Sequence, residues 1–421
     1  MFKTRMALAA LCLGAAACAA AADEDASAPS AVTPSLVYDG AATEVLHGGA
    51  QRGGAYTGSL HLRLLAKAPA SSDWAGTSAL VDVRTLHGGH PSALVGDAQG
   101  VSNIEGPHGT DIHELWVQHN FQDSGLSLLA GIYDLNSEFY RLQAAGLFLN
   151  SSFGIGPEFS QSGIEGPSIF PRTSAGVRVS SRLAPGVVVR GALLDGVPVV
   201  RPDGARGVFR PGDGLLGVGE VAFLSRPDEA DDGHSDVRRR QGRFSALPPY
   251  QDKLAFGLWR YTGALPTVDA AASDPSSALA SVKGRSAGAY AIGEWRIIGR
   301  EATPSRTLSA FAQLGTASSA TNRFGSYVGA GLVGTGWIPG RETDQLGLSV
   351  ASARNGAPYA QSQAALGQPV THAETTIEAS YLMQLTPWLT LQPDLQYVIH
   401  PDTQRSLANA WVVQVRFELS F

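Results

Sequence analysis

At 113–121 the chain reads HELWVQHNF, and Glu114, Trp116 and Gln118 occupy alternate positions in it. In a strand that spacing puts the three side chains on one face. An indole between a carboxylate and a carboxamide suits a sugar: the ring stacks on the apolar C–H face of a pyranose, and the planar polar groups bind its hydroxyls. Trp388, Thr390, Gln392 and Asp394 repeat the arrangement. Trp388 stands beside a turn, where it fits an interfacial aromatic girdle equally well. By the same alternation Arg63, Arg84, Arg178, Arg182 and Arg190 fall on inner strand faces, where they would shape a constriction as charged rings do in pores.

Catalytic patterns do not survive their context. A GxGxxG match at Gly212, Gly214 and Gly217 precedes VGEVAFL, which reads as strand, whereas a dinucleotide site needs a helix N-terminus there. A GxSxG match around Ser286 runs on into AYAIGEW, again strand, so no nucleophile elbow forms. Five of the ten histidines lie between His87 and His119. After His113 and Glu114, however, Val117 holds the position of the second histidine of a helical zinc motif, so loop and rim histidines are the better reading and no metal is expected. No spacing marks a Ser, His and amide array for an outer-membrane hydrolase.

The elements that would carry the inner face are strands of one design. The chain finishes WVVQVRFELSF, with apolar side chains at Trp411, Val413, Val415, Phe417, Leu419 and Phe421, and with Gln414, Arg416, Glu418 and Ser420 between them. A one-residue slip would turn Arg416 toward hydrocarbon at about 2–4 kcal/mol, so in lipid the register fixes itself. Alone, the segment fits a lipid-facing strand or the edge of a soluble sandwich. Segments at 387–399 and 377–385 repeat the alternation, and weaker copies run upstream to Leu60. Fourteen are visible, and since bacterial barrels have even strand numbers, about sixteen are expected. The long stretches near 88–110, 135–172, 197–217, 225–252 and 262–283 fit outer loops, and the others fit short inner turns. The charge run DEADDGHSDVRRRQGR reads as solvated loop.

The opening MFKTRMALAALCLGAAACAAAADED has Lys3 and Arg5 before a short apolar stretch and then alanines, the layout of a secretory signal cleaved after Ala22. Lipoprotein processing at Cys18 is the rival, but three alanines precede that cysteine. Both cysteines, Cys12 and Cys18, lie in the signal, so the exported chain has no disulfide. Its removal takes the net charge from -6 to -8, unsuited to nucleic acid. No apolar run reaches membrane-helix length after it, and the mean hydropathy of -0.01 is what alternating lipid-facing and water-facing positions average to. The expected organisation is a signal at 1–22, a loosely ordered or short helical lead-in at 23–50, and one all-β transmembrane antiparallel barrel at 51–421.

Five segments carry a resemblance to a known family: VGDAQGVSNIE at 95–105, HELWVQHNF at 113–121, LLAGIYDLNSEFYRLQAAGLFLNSSFGIGPEF at 128–159, GPSIFPRTSAGVRV at 166–179 and ETTIEASYLMQLTPWLTLQPDLQYVIHP at 374–401. With these the chain resembles the carbohydrate-selective porins, the OprB-type proteins of Gram-negative outer membranes. The resemblance implies a sixteen-stranded barrel whose inward-folded outer loops narrow a channel for passive diffusion of glucose and other sugars. It implies that Asn136, Glu138, Asn150 and Phe153 lie at or beside the constriction. It implies no cofactor, carbohydrate solutes and outer-membrane lipid as partners, a monomer or homotrimer, and Phe421 as the signal read by the assembly machinery. A general or anion-preferring porin is the nearest alternative, and an outer-membrane enzyme a more distant one. The residues expected along the sugar path are Trp116, Glu114, Asn136, Glu138, Asn150, Arg84, Arg178, Trp388, Asp394 and Arg416.

Overall fold

The computed structural model describes residues 32–121, 124–198, 207–225, 252–268, 283–300 and 306–421. Its strands are β1 (Val32–Gly49), β2 (Gly53–Lys67), β3 (Thr77–Gly88), β4 (Gly109–Phe121), β5 (Leu126–Tyr133), β6 (Ser174–Ala184), β7 (Val187–Asp195) and β8 (Leu215–Ser225) in the first half. The second half adds β9 (Asp252–Pro266), β10 (Lys283–Ile298), β11 (Thr307–Ala317), β12 (Phe324–Thr335), β13 (Gln345–Asn355), β14 (Ala373–Thr386), β15 (Leu389–Ile399) and β16 (Ala408–Ser420). Each strand pairs with its sequence neighbours, and β1 pairs antiparallel with β16, which closes the barrel. Closure leaves no unpaired edge, the condition for a sheet to cross lipid.

Face assignment follows the sequence alternation. On β4 Leu115 and Val117 are 44% and 55% exposed, while Glu114 and Trp116 between and beside them are 5% and 2% exposed. On β16 Gln414, Arg416 and Glu418 are buried inward, and Trp411, Val415 and Phe421 are exposed outward. Of the five arginines read as inward, Arg63, Arg84, Arg178 and Arg190 stand on inner faces, paired or partly buried, whereas Arg182 keeps the inward phase but is exposed near the end of β6.

Two expectations need correction. Residues 32–49 are not a lead-in but β1, the strand that seals the barrel, with Val37 opposite Ser420 and Ala42 opposite Val415. It was not legible because three of its inward positions, Val37, Ala41 and Val45, are apolar and buried, and Thr43 between them, bonded to Gln414, is too little to mark the alternation. The second concerns 226–251, read as an outer loop: Ser225, which ends β8, and Asp252, which begins β9, stand at the short-turn end of the barrel where β1 starts and β16 finishes, and the residues between them lie outside the described residues. The charge run itself, the signal at 1–22 and both cysteines lie outside the described residues.

At the opposite end two long connections turn into the barrel. The first inner loop, residues 89–108, begins with α1 (Pro91–Val95) and packs Val95 and Val101 against Val45, Val398 and Val412 of the wall. The second, residues 134–173, carries α2 (Pro157–Ser160) and is almost wholly sequestered: Leu135, Phe139, Tyr140 and Phe159 are all 0% exposed. Its aromatic side chains meet inward-facing aromatics of the wall, with Phe159 stacked on Trp259 at 4.6 Å and Phe153 edge-on to Phe311 at 5.8 Å. Such pairs contribute about 0.5–1.5 kcal/mol each beyond their buried area. The lumen therefore contains a hydrophobic core of its own, joining loop to wall.

Candidate functional site

The inner loops are fastened by the wall side chains that alternation turns inward. Carboxylates receive loop N–H groups: Glu378 takes those of Leu149 and Asn150, Glu220 that of Tyr140 at 3.0 Å, Glu294 that of Ala144 at 2.8 Å, and Glu374 those of Ala98 and Gln99 at 2.8 and 2.9 Å. Donors receive loop carbonyls: Lys253 binds Arg141 O at 2.7 Å, Gln313 binds Phe153 O at 3.0 Å, and Gln396 and Gln414 both bind Val101 O. Glu374 also accepts the N–H of Asp402, tying the connection after β15 to the same carboxylate. These anchors were not singled out from the sequence, although Glu374, Glu378 and Gln396 sit in a quoted family-like segment at inward positions.

The two inner loops hold each other as well. Ser151 donates its N–H to Gly100 O at 2.8 Å, Asn103 donates to Leu149 O at 2.8 Å, and Ser152 Oγ donates to Gln99 Oε1 at 3.0 Å. The family-like runs at 95–105 and 128–159 thus meet along one seam. Beside it His90, Ser92, Ser102, Glu105 and Ser151 line a cavity of about 540 Å³. His90 and His108 stack at 5.0 Å near its rim. Asp97, on the same loop, has its carboxyl pushed well above the usual range by burial and by the neighbouring Glu374 carboxylate.

Most of the expected path residues prove to be structural members of this inner framework. Glu114 accepts from Trp116 Nε1 at 3.2 Å and from the N–H of Asp134 at 3.3 Å, so the indole and the acid lie together but beneath the second loop. Arg84 is 2% exposed, donates from Nη2 to both carboxylate oxygens of Asp111 at 2.8 and 3.0 Å and to Pro171 O, and stands over Phe170. Glu138 and Arg178, expected separately, form one bidentate pair at 2.8 and 2.9 Å. Asn136 donates to Phe139 O and Gly154 O, and Asn150 caps the turn at Ser152 while its Nδ2 reaches Gln396 at 3.4 Å. Asp394 is 3% exposed beside Gln396, and Arg416, 1% exposed, donates to Asn103 and Ser102 of the first loop. Trp388 is 46% exposed and stacks on Phe421, so it belongs to the outer girdle and not to the inner face, the turn at 387–388 having swung it out of strand phase.

Four inward arginines pair with carboxylates. Arg63 meets Asp82 at 2.9 Å with His61 on the same carboxylate, Arg84 meets Asp111 at 2.8 Å, Arg178 meets Glu138, and Arg190 meets Glu220 at 3.4 Å. Paired in this way the groups cancel most of their field.

Known proteins agree with this geometry. The chain is similar to Porin B of Pseudomonas aeruginosa, with 26% identity over 152 residues that cover 33% of this chain and 34% of that one, so the match spans about a third of the relative's length. Its barrel resembles the high-pH structure of Pseudomonas putida OprB, with a TM-score of 0.76, 18% identity, and coverage of 93% and 94% of the two chains. It also resembles an anion-selective porin from Comamonas acidovorans, with a TM-score of 0.52, 12% identity, and coverage of 93% and 99%. The family model described as carbohydrate-selective porin, OprB family, matches residues 73–421, and to that family of outer-membrane barrels the chain belongs.

Proposed function

We propose that this chain is a passive channel by which glucose and other mono- and oligosaccharides diffuse across the outer membrane into the periplasm. The observation that carries the reading is the pairing of four inward arginines with carboxylates. A channel that prefers anions would present a ring with excess positive charge. Here Arg63, Arg84, Arg178 and Arg190 each face an acid, an arrangement that favours a neutral polyhydroxylated solute over an ion. The cavity between the inner loops, with three serine hydroxyls and Glu105, has the volume and polarity of a small-ligand site, and it offers such a solute a first resting place. Export through an N-terminal signal and recognition of Phe421 during assembly fit the same reading.

Ion current measured in planar bilayers while glucose or maltose is titrated tests it. Sugar in the pore displaces ions, so conductance falls with occupancy, more steeply for the longer sugar. Liposomes swelling at equal rates in sugars and in amino acids of matched size would return the chain to the general-porin reading.

A further inference from the structure

The outer wall carries a feature that the channel does not use. On β9 the outward side chains Leu254, Phe256 and Leu258 are 39%, 46% and 68% exposed, and the next outward residue is Arg260, also exposed. On β10 the outward series runs from Trp295 through Gly293, Ala291, Ala289 and Ala287 to Arg285, again exposed. Arg260 lies opposite Ala287, and Arg285 opposite Ala264, with a register shift between the two. The guanidinium-bearing residues are therefore neighbours on adjacent strands. Gly217 of β8 lies opposite Arg260 on its other side, so small residues flank it on both. No ion pair joins either side chain to a carboxylate among the described residues.

Their height explains what they face. With a rise of about 3.3 Å per residue and a tilt of about 40°, the eight residues from Asp252 to Arg260 climb about 20 Å, and the ten from Trp295 to Arg285 about 25 Å. That is the span of the apolar band, about 25 Å, measured from the end with the short turns. Both arginines thus stand at its upper margin, on the long-loop side, level with outer-leaflet headgroups. An arginine pointing at lipid is tolerated there when an anion receives it, and a phosphate matches the guanidinium fork. Arg354, outward and exposed near the top of β13, extends the basic margin, whereas β1 on another part of the wall bears Glu44.

We propose that Arg260 and Arg285 form a docking site for the phosphate of an outer-leaflet lipid headgroup, whose chains lie on the small-residue shelf of β8 and β10. The site is independent of which solute the channel passes. The test compares thermal unfolding of the wild type and the Arg260→Ala/Arg285→Ala variant in phosphatidylcholine nanodiscs with and without phosphatidic acid. Phosphatidic acid is expected to raise the wild-type melting temperature, and the variant is expected to need roughly tenfold more of it for the same rise. Unchanged single-channel conductance of the variant shows that the barrel is intact. An equal rise in both proteins overturns the proposal. So does a rise of the same size from inorganic phosphate in plain phosphatidylcholine, or light scattering that shows an arginine-dependent dimer, since the occupant would then be a free ion or a second copy.

Discussion

Replacing Arg178 with alanine loosens the second inner loop from the wall, and the variant is expected to conduct more current than the wild type while losing block by maltose. Arg178 uses all five of its donors: the fork goes to Glu138, one nitrogen goes to Ser127 Oγ and O at 2.8 and 3.2 Å, and the last bond reaches Gln118 at 3.0 Å. Glu138 also accepts Tyr133 Oη at 2.7 Å. Both side chains are nearly excluded from solvent, at 2% and 3% exposure. Removing one partner of such a pair leaves the other charge buried and costs about 3–5 kcal/mol, enough to shift the loop while the hydrogen-bonded barrel persists. A lysine at 178 keeps the charge but not the planar fork, and rescues only part of the effect. The variant Glu138→Leu/Arg178→Met, which removes both charges at similar volume, should close the channel better than Arg178→Ala alone. Wild-type conductance and sugar block in Arg178→Ala would show that this pair does not hold the constriction.

The same pair shows what alternation can and cannot tell. Period two placed Arg178, Trp116 and Arg416 on inner faces, because a charge or an indole beside Val177, Leu115 or Val415 has only one side on which to lie. It could not tell that a loop would cover them, since the face of a strand says nothing about what fills the space before it. Strand β1 was not legible, and β8, read as strand in VGEVAFL, did not show the alternation, for a related reason. Most of their inward residues, Val37, Ala41 and Val45 on one and Leu216, Val218 and Ala222 on the other, are apolar and buried, with only Thr43 and Glu220 as buried polar members between them. With so few polar side chains on the inner face, the period is blurred. Read in reverse, inward aromatics such as Trp259, Tyr290 and Phe311 were a sign, in the sequence, that the lumen holds a packed segment. The family-like run at 128–159 carries much of that segment, which resemblance singled out and periodicity could not.

A narrowing held by buried acids should respond to pH, and Glu158 is the group whose effect has the clearest sign. It sits in α2 at 0% exposure, accepts from Tyr140 Oη at 3.1 Å with one carboxyl oxygen, and has no hydrogen-bond partner for the other. A methyl group at Gly315 of β11 would come within 1.8 Å of the oxygen that accepts from Tyr140, so the carboxyl packs directly against the wall. Burial pushes its carboxyl up to about 7, against an ordinary value of 4.5. A raised carboxyl means that the packed loop holds the proton more tightly than the released loop does. The stabilisation is therefore complete below about 4.5 and is lost as pH rises through about 7, a difference of about 3 kcal/mol at most. Between pH 5 and pH 8 the wild-type channel should become noisier and its loop easier to cleave with protease. Glu158→Gln keeps the shape without the charge, so its conductance noise should stay at the low-pH level throughout. Asp97, raised for its own reasons beside Glu374, supplies the control: if Glu158→Gln retains the full pH response and Asp97→Asn abolishes it, the proton that matters sits on the first inner loop and not on the second.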